Sequence, residues 1–321
     1  MKKIFAMILV LAVLMSCTAL AEGETIYSVT TGLPTDKTEQ KVVGVQFDNS
    51  VSARPQMNMS RADVIYEVEI AAGGYTRYTA FYNDDIPELV EATRSARMHH
   101  IDLALDWDAV FIHYGGQNMA GTSIYDYVKT VQMKGRYDGL TNSTDFYRDV
   151  ARVAPYNVIT KLGQIYGYLN EKHVTTHTPL KFDAENYTKK GDTVTEFEIP
   201  YRPELSFYPS YKYEDGKYVR YYCGEKQIDG GTNEGYEFAN VIVMKAIESY
   251  YNKEYDRPIV ELYSKNKCDY FIDGSHFTGY WVRTKSTVST TYYDDDGNEV
   301  IFKPGKTFIQ VINNSDLMVI K

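Results

Sequence analysis

The sequence predicts an α/β (α+β) fold, with an N-terminal mixed sheet that carries helices and a C-terminal domain of mostly antiparallel strands. In residues 41–185, short apolar runs that end at turn residues alternate with segments whose apolar residues recur at helical spacing. Beyond about residue 185 the helical spacing largely disappears, and short aromatic or β-branched runs alternate with turn residues. The polar stretch Asp183–Thr195 separates the two patterns. We therefore predict an N-terminal domain over 41–185 and a C-terminal domain over 196–321.

The first 21 residues have the pattern of a signal peptide. Two lysines precede the apolar run Ile4–Met15, which is shorter than the ~20 residues that a membrane-spanning helix needs. Two processing sites then compete, because the sequence around Cys17 resembles a bacterial lipobox with a lipidated cysteine, whereas Ala19–Ala21 is a site for ordinary cleavage. We expect an extracellular protein, secreted or lipid-anchored to the outer face of the cytoplasmic membrane, with residues 22–40 as a polar spacer.

Four strands and four helices are predicted in the N-terminal domain. Apolar or alternating runs bounded by turn residues indicate strands at Val42–Phe47, Ala62–Ile70, Tyr75–Tyr82 and Ala109–His113. Helical spacing indicates helices at His99–Asp108, Ser123–Val131, Thr144–Val153 and Thr160–Glu171. Thr93 or Ser95 is the expected cap of the first helix.

The C-terminal domain is predicted to consist of hairpins. Turn residues join aromatic runs in Tyr213–Tyr218 and again in Tyr292–Val300, where Asp296 and Gly297 form the turn. The last alternating run, Thr307–Ile312, follows a Pro-Gly pair. No repeat of 20–50 residues is visible, which argues against solenoids and propellers.

Composition excludes several functional classes. The net charge of −9 argues against nucleic acid and against coating of an anionic membrane, so membrane contact is expected only through a lipid on Cys17. The sequence has no G-x-S-x-G, H-E-x-x-H, P-loop, G-x-G-x-x-G or C-x-x-C motif, and we expect no cofactor and no metal. An exported protein can contain a disulfide between Cys223 and Cys268, but the sequence does not show whether the two residues are close enough to form one. The oligomeric state and the presence of catalysis also stay open.

The residues from Val42 to Val128 contain five arginines and no lysine, although the whole chain has 22 lysines and 12 arginines. A planar guanidinium grips carboxylate or phosphate bidentately, whereas the lysine ammonium is a flexible point charge. This bias favours an organised arginine site. The same stretch holds twelve Asp and Glu residues, so internal salt bridges are the alternative explanation.

Polar residues at predicted element ends supply the candidate site. The candidate ligand-binding residues offer guanidinium and amide groups: Asn49, Arg54, Arg77, Arg94, Arg97, Gln117, Arg152 and Asn157. The candidate acid–base residues are His113, Asp48 and Glu67. We expect Arg77, Arg94 and Arg97 to converge with His113 and Asp48 or Asn49 on one partly open pocket.

Each candidate also has a structural explanation. His113 ends an apolar strand and is equally suited to a structural hydrogen bond, and Asp48 with Asn49 fits a turn. Glu67 on an alternating strand fits an exposed or salt-bridged position. Arg94 and Arg97 fit a helix start, although the helix dipole disfavours cations there.

These residues together resemble the YerB-type lipoproteins of Gram-positive bacteria, a family with two domains of unknown function. The resemblance runs from about Lys41 to the end of the chain and rests on these segments, in unchanged order: Gly44–Asn49, Ala53–Gln56, Ala62–Glu67, Gly74–Arg77, Thr93–Arg97, Asp108–Gly116, Phe146–Asp149, Ala154–Asn157 and Lys303–Val311. The chain differs from the family pattern at Tyr156, where histidine is frequent, and at Gln117, where serine is usual. The resemblance implies an N-terminal α/β domain, a smaller C-terminal domain and export to the cell surface, and it implies no established reaction.

The function expected from the sequence is that of an extracellular, envelope-associated protein. Its N-terminal arginine-rich pocket is expected to bind an anionic or hydroxyl-rich partner such as a cell-wall glycan or peptide fragment. The alternatives are a cell-envelope hydrolase that uses His113 with Asp48 or Glu67 and a structural or protein-partner module.

Overall fold

The computed structural model describes residues 25–201, 208–250, 257–313 and 317–321. It is built mostly from strands with few helices, in one mixed sheet and several antiparallel ones, in agreement with the predicted α+β class. The predicted signal peptide and Cys17 lie outside the described residues. In the described part, no helix is long and apolar enough to cross a membrane.

The N-terminal half contains eight strands and three α-helices among the described residues. The strands are β1 Val43–Asp48, β2 Val64–Ala71, β3 Tyr75–Tyr82, β4 Val90–Glu91, β5 Val110–His113, β6 Arg136–Asp138, β7 Phe146–Arg148 and β8 Val158–Thr160. The helices are α1 Met98–Asp106, α2 Ile124–Thr130 and α3 Leu162–Gly167, with 3-10 turns at Val51–Ala53, Met59–Arg61 and Glu171–His173.

The C-terminal half contains strands and no α-helix in its described residues. They are β9 Asp192–Thr193, β10 Glu196–Glu198, β11 Pro209–Glu214, β12 Lys217–Tyr222, β13 Glu225–Lys226, β14 Glu237–Phe238, β15 Asn240–Lys245, β16 Glu248–Tyr250, β17 Pro258–Val260, β18 Lys265–Ile272, β19 Ser275–Val282, β20 Thr291–Asp294, β21 Thr307–Ile312 and β22 Val319–Ile320.

Two predicted helices differ from the structure. The predicted helix over Thr144–Val153 is wrong, because Phe146–Arg148 pairs with β8 as a strand. The first helix is capped by Arg97 and not by Thr93 or Ser95, since the two earlier residues lie in an extended segment. Helix α2 lies within the predicted range Ser123–Val131, and the Ser123 hydroxyl caps it by accepting a hydrogen bond from the Asp126 amide.

One large mixed sheet runs through both halves of the chain. Its strand order is β20-β19-β18-β15-β21-β2-β3-β1-β5-β6, with β9 paired to β19. Strand β21, from the C-terminal end, lies between β15 and β2 and is parallel to both. The last long strand therefore joins the two halves by backbone hydrogen bonds, and the division at 186–195 remains a prediction.

The two faces of this sheet pack against different partners. Strand residues of one parity, including Phe47, Tyr78 and Phe308, form a core with a second sheet whose order is β13-β12-β11-β10-β22, with β14 paired to β12. Phe197 of β10 stacks on Phe271 of β18 at 3.6 Å between ring centroids. Residues of the other parity, such as Phe111, pack against α1 and α2. The alternation of side chains along each strand separates these two environments.

Residues 25–40 pack on the fold instead of forming the predicted free spacer. The Thr30 hydroxyl donates to Asp63 Oδ2 at 2.9 Å, and the Thr31 hydroxyl donates to Asp84 Oδ2 at 2.6 Å. The Gln40 side chain accepts a hydrogen bond from the Val29 amide at 2.8 Å. The polar composition of this stretch predicted a spacer. In the structure its side chains donate hydrogen bonds to carboxylates just before β2 and just after β3.

Candidate functional site

The candidate site lies where β1 and β5 end and α1 begins. Asp48, the last residue of β1, faces Arg77 of β3 in the antiparallel register. An extended segment that begins at Thr93 then crosses these strand ends, because the Arg94 amide donates to Gln46 of β1 and the Tyr114 amide donates to Arg94. Ala96 forms a bridge with Gly116 beyond β5. This path brings Arg77, Arg94 and Arg97, which we call the arginine cluster, to one end of the sheet.

Close packing holds the segment in this position. Gly116, which forms the bridge, has no room for a side chain, since an added Cβ would lie 2.0 Å from Ile124 Cδ1. Ile124 is the first residue of α2 and is fully buried. Helix α2 therefore fits against the glycine turn after β5, which explains why glycine stands at this strand end.

Asp48 is the carboxylate that lies within the arginine cluster. Its Oδ2 is 2.6 Å from Arg94 Nε and 3.9 Å from Arg77 Nε. Its Oδ1 accepts hydrogen bonds from the amide and the hydroxyl of Ser50. Burial alone would raise the pKa of Asp48, but the charge of Arg77, the hydrogen bonds of Ser50 and the charge of Arg94 hold that pKa below its ordinary value. Asp48 is thus a structural anion here and is not suited to act as a general base.

Arg77 is mostly held by backbone and hydroxyl groups. Its Nη1 donates to the Ser95 carbonyl at 2.6 Å and lies 3.2 Å from the Ser95 hydroxyl. Its Nε is buried without a hydrogen-bond partner in the described structure. Burial lowers the pKa of Arg77 to about 10, with Asp48 opposing the shift and Arg94 adding to it. One carboxylate therefore serves two guanidinium groups.

Arg97 has no such carboxylate. It is 7% exposed, its Nη1 donates only to the Ala96 carbonyl at 3.3 Å, and its Nε is buried without a partner. Among the described residues it forms no ion pair, and burial, followed by the charges of Arg77, Arg257 and Arg94, lowers its pKa to about 8. It also caps the N-terminus of α1, where the helix dipole disfavours cations. Because a guanidinium stays protonated near neutral pH, Arg97 is a buried cation without an ion-pair partner among the described residues.

Two buried histidines extend this region. His99 and His100 follow Arg97 in the first turn of α1, and the Nε2 atom of each lacks a partner in the described structure. His100 Nδ1 accepts the Arg97 amide at 2.9 Å. Burial and then the charge of Arg97 lower the pKa of His99 to about 3, and burial and then His99 hold the pKa of His100 well below its ordinary value. Both rings are neutral at pH 7, so they add polar atoms to the region without adding positive charge.

A small cavity of about 50 Å³ lies beside Arg97. Its polar lining comes from α1 and from the loop before α2, with Arg97, His99, Asp102 and Gln117. Its apolar lining includes the strand Pro258–Val260 of the C-terminal half. Both halves of the chain therefore shape the cavity, although its charged residues come from the N-terminal half.

Glu67 and Asn49 do not reach the arginine cluster. Glu67 lies on the opposite face of the sheet, where its Oε2 forms a 2.6 Å ion pair with Arg220 and accepts from Gln310 at 3.0 Å. Its Oε1 accepts from Asn49 at 2.8 Å and from Thr76 at 2.6 Å. Every oxygen of this carboxylate is engaged and the residue is fully buried. The proposal of Glu67 as an accessible acid is therefore wrong.

His113 is a structural histidine and not part of the cluster. It is fully buried, and its Nδ1 lies 2.8 Å from the Gly115 carbonyl while its Nε2 lies 3.2 Å from Arg136 Nη1. Burial lowers its pKa to about 4, against the opposing charge of Asp138. With both nitrogens engaged, His113 cannot take a proton from a substrate. The predicted convergence of His113 and Asn49 with the arginines is wrong.

The remaining predicted residues form a separate structural group. Arg54 stacks over Tyr222 at 3.8 Å and donates to the Asn49 carbonyl. Arg152 donates to the carbonyls of Ala53 and Pro55. The side chain of Asn157 bonds to Arg148 and to the carbonyls of Asp149 and Arg152. These contacts fix loops near the strand ends.

Sequence reasoning missed His99 and Asp102 as parts of the site. The available signal was the run from Arg97 to His100, which crowds basic residues at a predicted helix start where the dipole disfavours them. Cys223 and Cys268, whose pairing the sequence left open, form no disulfide with each other, and Cys223 is exposed whereas Cys268 is buried.

Comparison with known proteins finds relatives over most of the chain. Residues 30–175 match the family model described as the N-terminal domain of a protein of unknown function (DUF3048), and residues 197–309 match the model of its C-terminal domain. The chain is 26% identical over 296 residues to "Putative lipoprotein YerB" of Bacillus subtilis (strain 168), which covers 89% of this chain and 86% of that protein. The crystal structure of the YerB protein from Bacillus subtilis matches with a TM-score of 0.78 at 24% identity, over 92% of this chain and 99% of that chain. The two proteins share a fold.

Proposed function

We propose, from the premise that this chain belongs to the two-domain DUF3048 family of unknown function, that it is an exported, envelope-associated protein that binds an anionic group at its arginine cluster. The resemblance predicted from the sequence is thereby confirmed. The envelope assignment is supported by the lysine-led apolar run at the N-terminus and by a relative whose name describes a lipoprotein.

Arg97 is the observation that carries the proposal. A buried charge without a partner is costly by several kcal/mol, so proteins pair such charges or bring a ligand to them. In the described structure the arginine cluster has three guanidinium groups and the single carboxylate of Asp48, which already bonds to Arg94. An anion beside Arg97 would offset the repulsion from Arg77 and Arg94. It would also face the N-terminus of α1, where backbone amides favour negative charge.

The hydrolase alternative has no supporting geometry in the described residues. His113 is sealed between Gly115 and Arg136, Glu67 is sealed against Arg220, and Asp48 is held by arginines. These three groups lie in three separate environments. A common acid–base site for them would require the sheet to be rebuilt.

Titration calorimetry with simple anions tests the proposal. The purified mature protein would be titrated with inorganic phosphate and with N-acetylmuramic acid, a carboxylate-bearing wall sugar, and N-acetylglucosamine would serve as the uncharged comparison. We expect saturable binding of at least one anion and at least tenfold weaker binding in Arg97→Ala. Arg61→Ala is the matched control, because Arg61 forms an exposed pair with Asp85 away from the cluster.

Two results would contradict this function. One is that neither phosphate nor N-acetylmuramic acid binds to the wild-type protein. The other is binding that Arg97→Ala and Arg61→Ala weaken equally, which would mean that the loss of any one positive charge, and not the loss of the cluster's geometry, weakens binding. Either result would leave the structural or protein-partner module as the better explanation.

A further inference from the structure

The size of the cavity beside Arg97 limits what can enter it. A water molecule needs roughly 10–15 Å³ of such volume, so the cavity of about 50 Å³ holds roughly four water-sized groups. A sugar ring or a nucleobase is too large. A carboxylate with its α-carbon and a methyl group has the right size, and so does a phosphate.

Two of the residues that line the cavity, Arg97 and Gln117, each have a buried polar atom without a hydrogen-bond partner in the described structure. On the donor side, Arg97 Nε is buried and unpartnered, and Arg97 itself has less than a tenth of its surface exposed. On the acceptor side, Gln117 donates through Nε2 to the Thr122 hydroxyl, which leaves its buried Oε1 without a partner in the described structure. A buried acceptor without a donor costs about 1–3 kcal/mol, so a ligand that supplies an N–H would stabilise it. Inorganic phosphate keeps a P–OH group at neutral pH and could also donate to Gln117, but it has no apolar group for the rest of the lining.

A third part of the lining is apolar. Ile259 and Val260 of β17, with Pro258 before them and Met98 of α1, form one wall of the cavity. Asp102 also lines the cavity, and its Oδ1 accepts the hydroxyls of Tyr127 and Tyr263. A ligand that fills this space therefore needs an anionic group, an N–H donor and a small apolar group close together.

We infer that the cavity receives the carboxyl-terminal residue of a peptide that ends in a small aliphatic side chain, such as alanine. The terminal carboxylate pairs with Arg97, the amide N–H of the last residue donates to Gln117 Oε1, and the methyl group packs on Ile259 and Val260. This inference rests on the proposed function and narrows its ligand from any anion to a peptide carboxyl terminus.

Calorimetry with matched peptides tests the inference. The probes are N-acetyl-alanyl-alanine as the free acid, in D,D and L,L forms, the same peptide as the terminal amide, and N-acetyl-alanyl-phenylalanine. We expect one alanine stereoisomer to bind as the free acid, with at least tenfold weaker binding of its amide and of the phenylalanine peptide. The amide removes the charge that Arg97 needs, and the benzyl group exceeds the cavity.

Gln117→Met separates this role from a purely structural one. The methionine keeps the length of the side chain and removes the acceptor, so we expect about tenfold weaker binding of the free-acid peptide, with unchanged binding of inorganic sulfate, which has no hydrogen to donate at neutral pH. Gln132→Met is the matched control, because Gln132 is exposed outside the cavity. A melting temperature equal to that of the wild type shows that each variant is folded.

The outcomes distinguish this inference from the proposed function. Phosphate that binds in an Arg97-dependent way, while the free acid binds no better than the amide, would overturn the peptide inference and leave the anion site intact. Peptide binding that survives Arg97→Ala would also overturn it. If neither phosphate nor peptide binds, both proposals fail together.

Discussion

Arg220, on β12 of the second sheet, and Arg97, at one end of the large sheet, are both buried arginines, but their surroundings differ in one respect. Arg220 is fully buried and bonds to Glu67 at 2.6 Å, to the Tyr211 hydroxyl at 3.1 Å and to the Gln227 side chain. Arg97 bonds to one carbonyl of its own chain neighbour and has other arginines as its charged neighbours in the described structure. The charge around Arg220 is compensated inside the protein, and the charge around Arg97 is not.

This difference, and not exposure, distinguishes the structural Arg220 from Arg97, the arginine that we propose binds a ligand. Arg220 belongs to the C-terminal half and Glu67 to the N-terminal half, so their pair joins the two halves beneath β21. The network is complete without a ligand, because Gln310, Asn49 and Thr76 fill the remaining positions of Glu67. The arginine cluster, in contrast, leaves Arg97 without a carboxylate partner in the described structure.

The largest expected effect is the loss of one partner from the complete network. Arg220→Met leaves Glu67 buried without its cation, and breaking a buried pair in this way costs about 3–5 kcal/mol. We expect the melting temperature to fall on the order of 10 °C by calorimetry. Adding Glu67→Gln to Arg220→Met removes the stranded charge and should recover part of the loss. Equal melting of wild type and Arg220→Met would mean that the network contributes little.

Asp63 sharpens the comparison from the side of the carboxylates. It is buried, and its hydrogen bonds come from the neutral Thr30 hydroxyl and the amides of Asn83 and Asp84. Burial and then the charge of Asp84 raise the pKa of Asp63 to about 7. A buried carboxyl group without a cation nearby becomes neutral by binding a proton, whereas a guanidinium keeps its charge near neutral pH.

The raised pKa predicts a pH dependence of stability. Between about pH 4 and pH 7 the unfolded chain has ionised Asp63 while the folded chain still binds its proton, so this group's contribution is full below pH 4 and is lost as the pH rises through 7. Relative to Asp63→Asn, the wild type should lose on the order of a few kcal/mol of unfolding free energy across that window. Denaturant melts of both proteins at pH 4.5 and pH 7.5 measure the difference. Parallel pH profiles would show that Asp63 is ionised in the fold.

A smaller effect is expected from cutting the chain between the halves. Residues Ala184–Asn186 are exposed, and we expect limited proteolysis to cut first in this region. Because β21 pairs with β2 and Arg220 pairs with Glu67, the two fragments should stay together in gel filtration under native conditions. Fragments that separate spontaneously would show that the halves are independent domains.

Much of the fold could be predicted because it depends on local pattern. Alternation along Val64–Ala71 and Tyr75–Tyr82 and the buried run at Val110–His113 fix strands whatever their neighbours are. The insertion of β21 beside β2 could not be predicted, since the pairing joins residues more than two hundred positions apart and leaves no local trace. Helical spacing predicted a helix at Phe146–Arg148. The structure has a strand there, because pairing with β8 overrides the weak local preference for helix.

The candidate site was predicted in part for a similar reason. The arginine bias identified Arg77, Arg94 and Arg97 as residues chosen for guanidinium geometry, and the structure brings them to one end of the sheet with Asp48. The sequence could not show on which face each strand residue points at the strand ends. His113 and Glu67 were both considered as acid–base residues because each ends or lines a strand. The structure places His113 beside Phe111 and Glu67 across the sheet against Arg220.

The central claim is that Arg97 serves a ligand and not the fold, and Arg97→Ala tests it most directly. The variant protein would be melted without ligand and then titrated with inorganic phosphate and the free-acid alanyl peptide, beside the wild type and Arg61→Ala. We expect the melting temperature to stay within a few degrees of the wild type or to rise, because an uncompensated charge is removed, while ligand binding falls at least tenfold. A fall in melting temperature as large as that of Arg220→Met, or binding that is unchanged, would contradict the account.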